Sequence, residues 1–165
     1  MAPTAPNFRF GKNARIEIAP YTNGTEPAVG DFLNFCLTNQ VEVGLTNGSI
    51  TIDSFCSEGD VEVPDGSQTG ILTFGDTTWA EDDLSLKLLE NAAFSKNENG
   101  QKVHYRIYPV GKAVGKPVWR GLFNAADVKL MIPSKGIIKM IVTPKVQGAP
   151  ERGTQADAGA FTPVP

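Results

Sequence analysis

The residues that could do chemistry are few: one histidine, His104, two cysteines, Cys36 and Cys56, and an alternating set of acids, Glu58, Asp60 and Glu62. A hydrolytic triad needs a histidine held by a carboxylate and touching a nucleophile. His104 instead sits between Val103 and Tyr105 in an alternating, strand-like run, so a structural role is expected. The two cysteines lack metal-ligand spacing and are too few for a secreted disulfide framework, which predicts reduced, buried side chains. Glu58, Asp60 and Glu62 supply oxygen ligands in type but not the graded spacing of a calcium loop, so they read as a solvated segment. No HExxH, CxxC, Walker or GxGxxG pattern occurs. Trp79, Tyr105, Tyr108 and Trp119 could stack on sugars if exposed together, although scattered aromatics in a β-domain usually fill the core. An enzyme is not expected, and neither is a cofactor or a metal.

The elements that carry these residues are mostly strands. At 165 residues, 41% hydrophobic and 20% charged, the chain has the size and composition of one globular domain. ARIEIA alternates Ala14, Ile16 and Ile18 against Arg15 and Glu17, the period of a half-buried strand. VEVGLTNGSITID, residues 41–53, reads as a hairpin turning on Asn47-Gly48, because both turn positions need positive φ. Its polar face would carry Glu42, Gly44, Thr46, Ser49, Thr51 and Asp53.

Residues 56–70, with Glu58, Asp60, Glu62 and Asp65, read as a long exposed loop. GILTF follows as a strand. From Glu81 to Asp83 onward, Leu84, Leu88, Leu89, Ala92 and Ala93 recur at helical spacing behind three acids that suit a helix N-terminus. Leu84, Leu86 and Leu88 also alternate as a strand would. KVHYRIYPV, VWRGLF, AADVKLMI and GIIKMIVTPKV complete a count of seven or eight strands around one helix, with a turn at Pro133-Ser134-Lys135-Gly136. The expected fold is mainly β: two packed antiparallel sheets, sandwich- or barrel-like, with one flanking α-helix. Residues 1–13 and the Pro/Gly/Ala-rich residues 148–165 are expected to be mobile arms around a β-domain at 14–147.

Fifteen basic residues against eighteen acidic ones leave a formal charge of −3, which disfavours tight nucleic-acid binding through counterion release. The opening MAPTAPNFRFGK lacks the apolar core of a signal peptide, and no apolar run is long enough to span a bilayer. A soluble protein made in the cytoplasm, without membrane insertion, is expected.

The order of landmarks over roughly residues 10–150 resembles the major tail tube proteins of long-tailed, siphovirus-like bacteriophages. FGKNARIEI resembles the opening strand of that family, and DFLNFCLTNQVEVGLTNGSITIDSF its next segment, with Ile52-Asp53-Ser54 matching a frequent closing phrase. VPDG at residues 63–66 and GLFNAADVKLMIPSKGIIKMIVTPKVQGAP, ending in Gly148-Ala149-Pro150, fit the later loop and the closing hairpin. The resemblance implies hexameric rings stacked into a tube whose lumen conducts double-stranded DNA during ejection. It also implies assembly in the host cytoplasm, residence in the virion tail, and contacts with a tape measure protein, a tail terminator and distal tail proteins.

On that reading Glu42, Gly44, Thr46, Ser49, Thr51 and Asp53 line the lumen, where an acidic and neutral wall does not grip phosphates. The same face could instead meet solvent or a neighbouring subunit. The loop with Glu58, Asp60, Glu62 and Asp65 would bridge rings, and Leu84, Leu88 and Leu89 would pack the helix on a sheet. The competing reading is a small β-sandwich binding module, a virion decoration or carbohydrate-binding domain, which would stay monomeric or form a small closed oligomer.

Overall fold

The computed structural model describes residues 14–52, 61–156 and 159–164. Strand β1 (Arg15–Pro20) opens a seven-stranded antiparallel sheet. Its order is β2 (Leu33–Asn34), β1, β6 (Lys102–Tyr108), β7 (Pro117–Met131), β8 (Lys139–Gln155) and β5 (Thr77–Thr78), with β9 (Phe161–Pro163) also paired to β8. A second sheet contains β3 (Val41–Ile52) and β4 (Val61–Phe74). One face of the large sheet is apolar because Ile18, Val103, Tyr105, Ile107 and Phe123 alternate onto it. Helix α1 (Leu84–Phe94) covers that face.

The helix begins at Asp83, whose Oδ1 accepts from the backbone N–H groups of Ser85 at 2.9 Å and Leu86 at 3.0 Å. That bond satisfies donors left orphaned by the first turn. Trp79 Nε1 donates to Glu90 Oε1 at 3.0 Å, fastening the incoming chain to the helix. Leu86, Leu89 and Ala92 are buried against the sheet, and Leu88 is half-buried. Leu84, expected to pack, is 63% exposed. Residues step about 100° around a helix, so Leu84 stands about 140° from Leu89, and Leu86 takes the packing position instead.

The expected hairpin at 41–53 does not form over its described residues, 41–52. β3 runs straight through Asn47-Gly48 for 12 residues and pairs with β4, so residues 61–70 of the expected exposed loop are strand, and residues 56–60 lie outside the described residues. The register shifts between Asn47 and Ser49, where Asp65, Gly66 and Ser67 stand unpaired on β4. Gly66 has φ +75°, and Asp65 Oδ1 accepts from Ser67 N at 2.8 Å and Ser67 Oγ at 2.7 Å. A Cβ on Gly48 would collide with Ser67 Oγ. The Asn-Gly pair therefore accommodates a bulge, not a turn.

The expected domain end at Gly148-Ala149-Pro150 is also a bulge. Leu122 pairs with Gln147 and Arg120 with Glu151, so these three residues oppose only Gly121 while β8 continues to Gln155. Residues 148–155 and 161–163 thus belong to the sheet, contrary to an arm beginning at 148. Residues 1–13 lie outside the described residues.

Candidate assembly surfaces

The polar side chains expected on one face do not cluster as a hairpin would bring them together. Along one continuous strand, Glu42 and Thr51 are about 30 Å apart at about 3.4 Å per residue. Glu42 lies opposite Thr73, whose Oγ1 donates to Glu42 Oε2 at 2.9 Å. Gly44 faces Ile71, Thr46 faces Thr69, Ser49 faces Pro64 and Thr51 faces Glu62 in the ladder. Glu42, Thr46, Ser49 and Asp65 are exposed. Asp53, Glu58 and Asp60 fall outside the described residues. The two Ser67 hydrogen bonds hold the Asp65 carboxyl below its ordinary range.

The opposite face of this ribbon carries Val41, Val43, Leu72 and Phe74 into the core. Beyond them the ribbon crosses β8 at Gly70, where a Cβ would meet Val146 Cγ1 at 2.6 Å and the Gly148 carbonyl at 2.8 Å. Only a glycine lets the two backbones approach so closely. Leu45 and Ile71 remain exposed.

The β7–β8 hairpin projects a second surface that the alternation did not predict. Leu130, Met131, Ile132, Ile137 and Ile141 are all exposed around a turn in which Gly136 has φ +118°. An apolar group this concentrated marks a contact surface more often than chance exposure. Its sequence signal was the run LMI followed by GII, more apolar than one buried strand face requires.

On the sheet face opposite the helix, Glu17, Arg106, Arg120 and Glu151 stand in register across β1, β6, β7 and β8. Arg106 Nη2 donates to Glu26 Oε1 at 2.7 Å and Arg120 Nη1 donates to both Glu26 oxygens at 2.8 Å. Arg120 Nε reaches Glu151 at 2.7 Å, and Arg106 Nη1 reaches the Gly159 carbonyl at 3.0 Å. The guanidiniums stack on Phe32 and Phe161, at 4.2 and 3.9 Å from the ring centroids. At the row's end Glu17 accepts from Tyr108 Oη at 3.1 Å and Lys112 Nζ at 2.6 Å. Burial, helped by the Glu17 charge, pushes the Tyr108 pKa up to about 12. Sequence reasoning missed this row, because cross-strand register cannot be read from one strand at a time.

His104 stacks on Tyr21 at 5.7 Å, and burial lowers its pKa, which favours the neutral ring. Tyr105 and Tyr108 are buried, and Trp79 and Trp119 pack against the core, so these four make no exposed sugar platform. Cys36 is exposed, not buried as expected, because it follows Phe35, which takes the inward position. Cys56 lies outside the described residues. Among the described residues no three His, Cys, Asp or Glu side chains converge as a metal site, and no helix is long and apolar enough to cross a membrane.

The architecture aligns with the SPP1 tail tube, a hybrid solid-state NMR and cryo-EM structure, at a TM-score of 0.66 over 90% of this chain and 81% of that one, with 13% identity. The chain has a phage tail tube fold. A second match is a chain of the native gene transfer agent virion, at a TM-score of 0.61 over 94% of this chain and 99% of that one, with 11% identity. No protein-family model and no curated protein sequence matches the chain. At such identity the tail tube fold is held by pattern and packing, with most individual residues exchanged.

Proposed function

We propose that this chain is a structural subunit of a virion tail tube, not an enzyme. The observation that carries the proposal is the tail tube fold over nine-tenths of the chain, at 90% coverage. The proposed assembly is a hexameric ring, stacked into a tube that conducts double-stranded DNA and contacts a tape measure protein, a tail terminator and distal tail proteins. Its place is the virion tail, after assembly in the host cytoplasm.

Open strand edges and exposed apolar side chains are costly on a monomer and useful in a polymer. The exposed Leu130, Met131, Ile132 and Ile137 support burial between subunits. Glu42, Gly44 and Thr46 supply the proposed lumen wall, which repels phosphates or leaves them unbound; on a continuous strand Ser49 and Thr51 hold the other parity, that of Val41 and Val43, so they are not part of the same wall. Glu62 and Asp65 on β4, with Glu58 and Asp60 just before that strand in sequence, are the proposed bridge between rings.

Negative-stain microscopy of the purified protein across a concentration series tests this reading. Rings or tubes of constant diameter are expected. A monomer or small closed oligomer at every concentration would favour the β-sandwich binding module.

A further inference from the structure

We infer that the β7–β8 hairpin tip of one copy receives the far end of the β3–β4 ribbon of a second copy. The inference rests on the tail tube reading and names the surface on which the proposed bridge lands. The tip offers Ile132 at 72% exposure and Ile137 at 68%, beside Leu130 and Met131, with Lys129 and Lys135 exposed among them. Residues 128–150 carry four lysines and no acid. Among the described residues only Lys139 of the four has a salt bridge, to Asp76.

The ribbon is charged the other way. β3 and β4 lie within residues 16–86, a stretch without a lysine or arginine. Near the ribbon's far end Glu62 stands opposite Thr51 in the ladder. Asp65 is exposed in the bulge, where it accepts from the Ser67 N–H and hydroxyl. Both donors are neutral, so the carboxylate keeps its charge. Ile50 pairs with Val63 and Ile52 with Val61, so this end joins aliphatic residues to acids as the tip joins them to lysines. Apolar burial supplies attraction between two such ends, and opposite charge fixes which end meets which.

Topology excludes the contact within one chain. Thr77, just after the ribbon, pairs with Met140, whereas Gly70 sits against Val146 and Gly148. Followed back from Thr77, β4 therefore runs along β8 away from the tip. Beyond Gly70 the ribbon continues to Val61, and from Val146 the chain leads the other way to Ile137. At about 3.4 Å per residue each stretch spans about 30 Å. A basic end and an acidic end that face opposite ways meet only between copies. Such a head-to-tail contact is heterologous, so it leaves both outer ends free to add further copies.

The test uses full-length charge reversals, followed by sedimentation velocity and negative-stain microscopy. Lys129→Glu with Lys135→Glu reverses the tip, and Glu62→Lys with Asp65→Lys reverses the ribbon end. Circular dichroism and a thermal melt establish that each variant folds; Glu62→Lys alone serves if the bulge does not tolerate the change at Asp65. Each reversed variant should need at least about tenfold more protein than wild type to form tubes. The tip and ribbon reversals combined in one chain should restore tube formation, because every copy then offers a basic ribbon end to an acidic tip. Reversed variants that assemble like wild type, or a folded combined variant that does not regain tubes, would overturn the contact while leaving the tail tube reading in place. Wild type that never assembles would overturn both.

Discussion

Arg106 and Arg120 stand opposite each other on adjacent strands, and both close on the single carboxylate of Glu26. Two guanidiniums in register repel, so the loop that delivers Glu26 compensates charge as well as covering the sheet. Arg106 is only 4% exposed, whereas Glu26 is 46% exposed, which tempers the strength of the pair. Glu26→Gln should cost about 1–2 kcal/mol at neutral pH, measured by urea unfolding.

The same residue predicts a pH dependence. Partial burial works to raise the Glu26 pKa, but the hydrogen bonds and charges of Arg106 and Arg120 outweigh it and hold the group below its ordinary 4.5. A carboxyl depressed in the folded state contributes stability that is full above its unfolded pKa and lost as pH falls through the folded value. The stability gap between wild type and Glu26→Gln should therefore narrow as pH drops below 4.5. A gap that stays constant down to about pH 2 would remove charge linkage as its source.

Helix α1 separates two leucines that look alike in sequence. Leu89 is fully buried, so Leu89→Ala should destabilise by about 2–5 kcal/mol. Leu84→Ala, at a site 63% exposed, should change stability by no more than about 0.5 kcal/mol. Chemical denaturation of both variants checks the helix orientation; equal losses would contradict it.

Gly70 sets how closely the β3–β4 ribbon sits on β8. A methyl there meets the Gly148 carbonyl and Pro150 Cδ, both at 2.8 Å. Gly70→Ala should cost about 1–3 kcal/mol and raise amide exchange along β4. Gly44→Ala on the same ribbon has open space and should be nearly neutral.

The proposed lumen has its own test. Reversing Glu42 to Lys should leave tubes intact but slow DNA release from particles. Added salt should restore release, as the screening length falls from about 10 Å at 0.1 M to about 3 Å at 1 M. Release that is normal and indifferent to salt would take Glu42 out of the channel, and failure to form tubes would place it at a subunit contact.

Alternation by itself determined the strands around Ile18, Val103 and Phe123, the presence of one helix after Asp83, and the mainly-β class, because a half-buried strand and an amphipathic helix impose different periods on any sequence. What the alternation could not reveal was which strand pairs with which. Asn47-Gly48, Asp65-Gly66 and Gly148-Ala149-Pro150 carry the composition of turns, yet in the fold they accommodate bulges within long ladders. A glycine's backbone freedom serves either purpose, and only the partner strand decides. The same holds for Arg106, Arg120 and Glu26, which lie far apart in sequence and meet through register and a loop. Leu84, Leu86 and Leu88 fit helix or strand equally in sequence; tertiary packing against the sheet buried Leu86 and turned Leu84 outward.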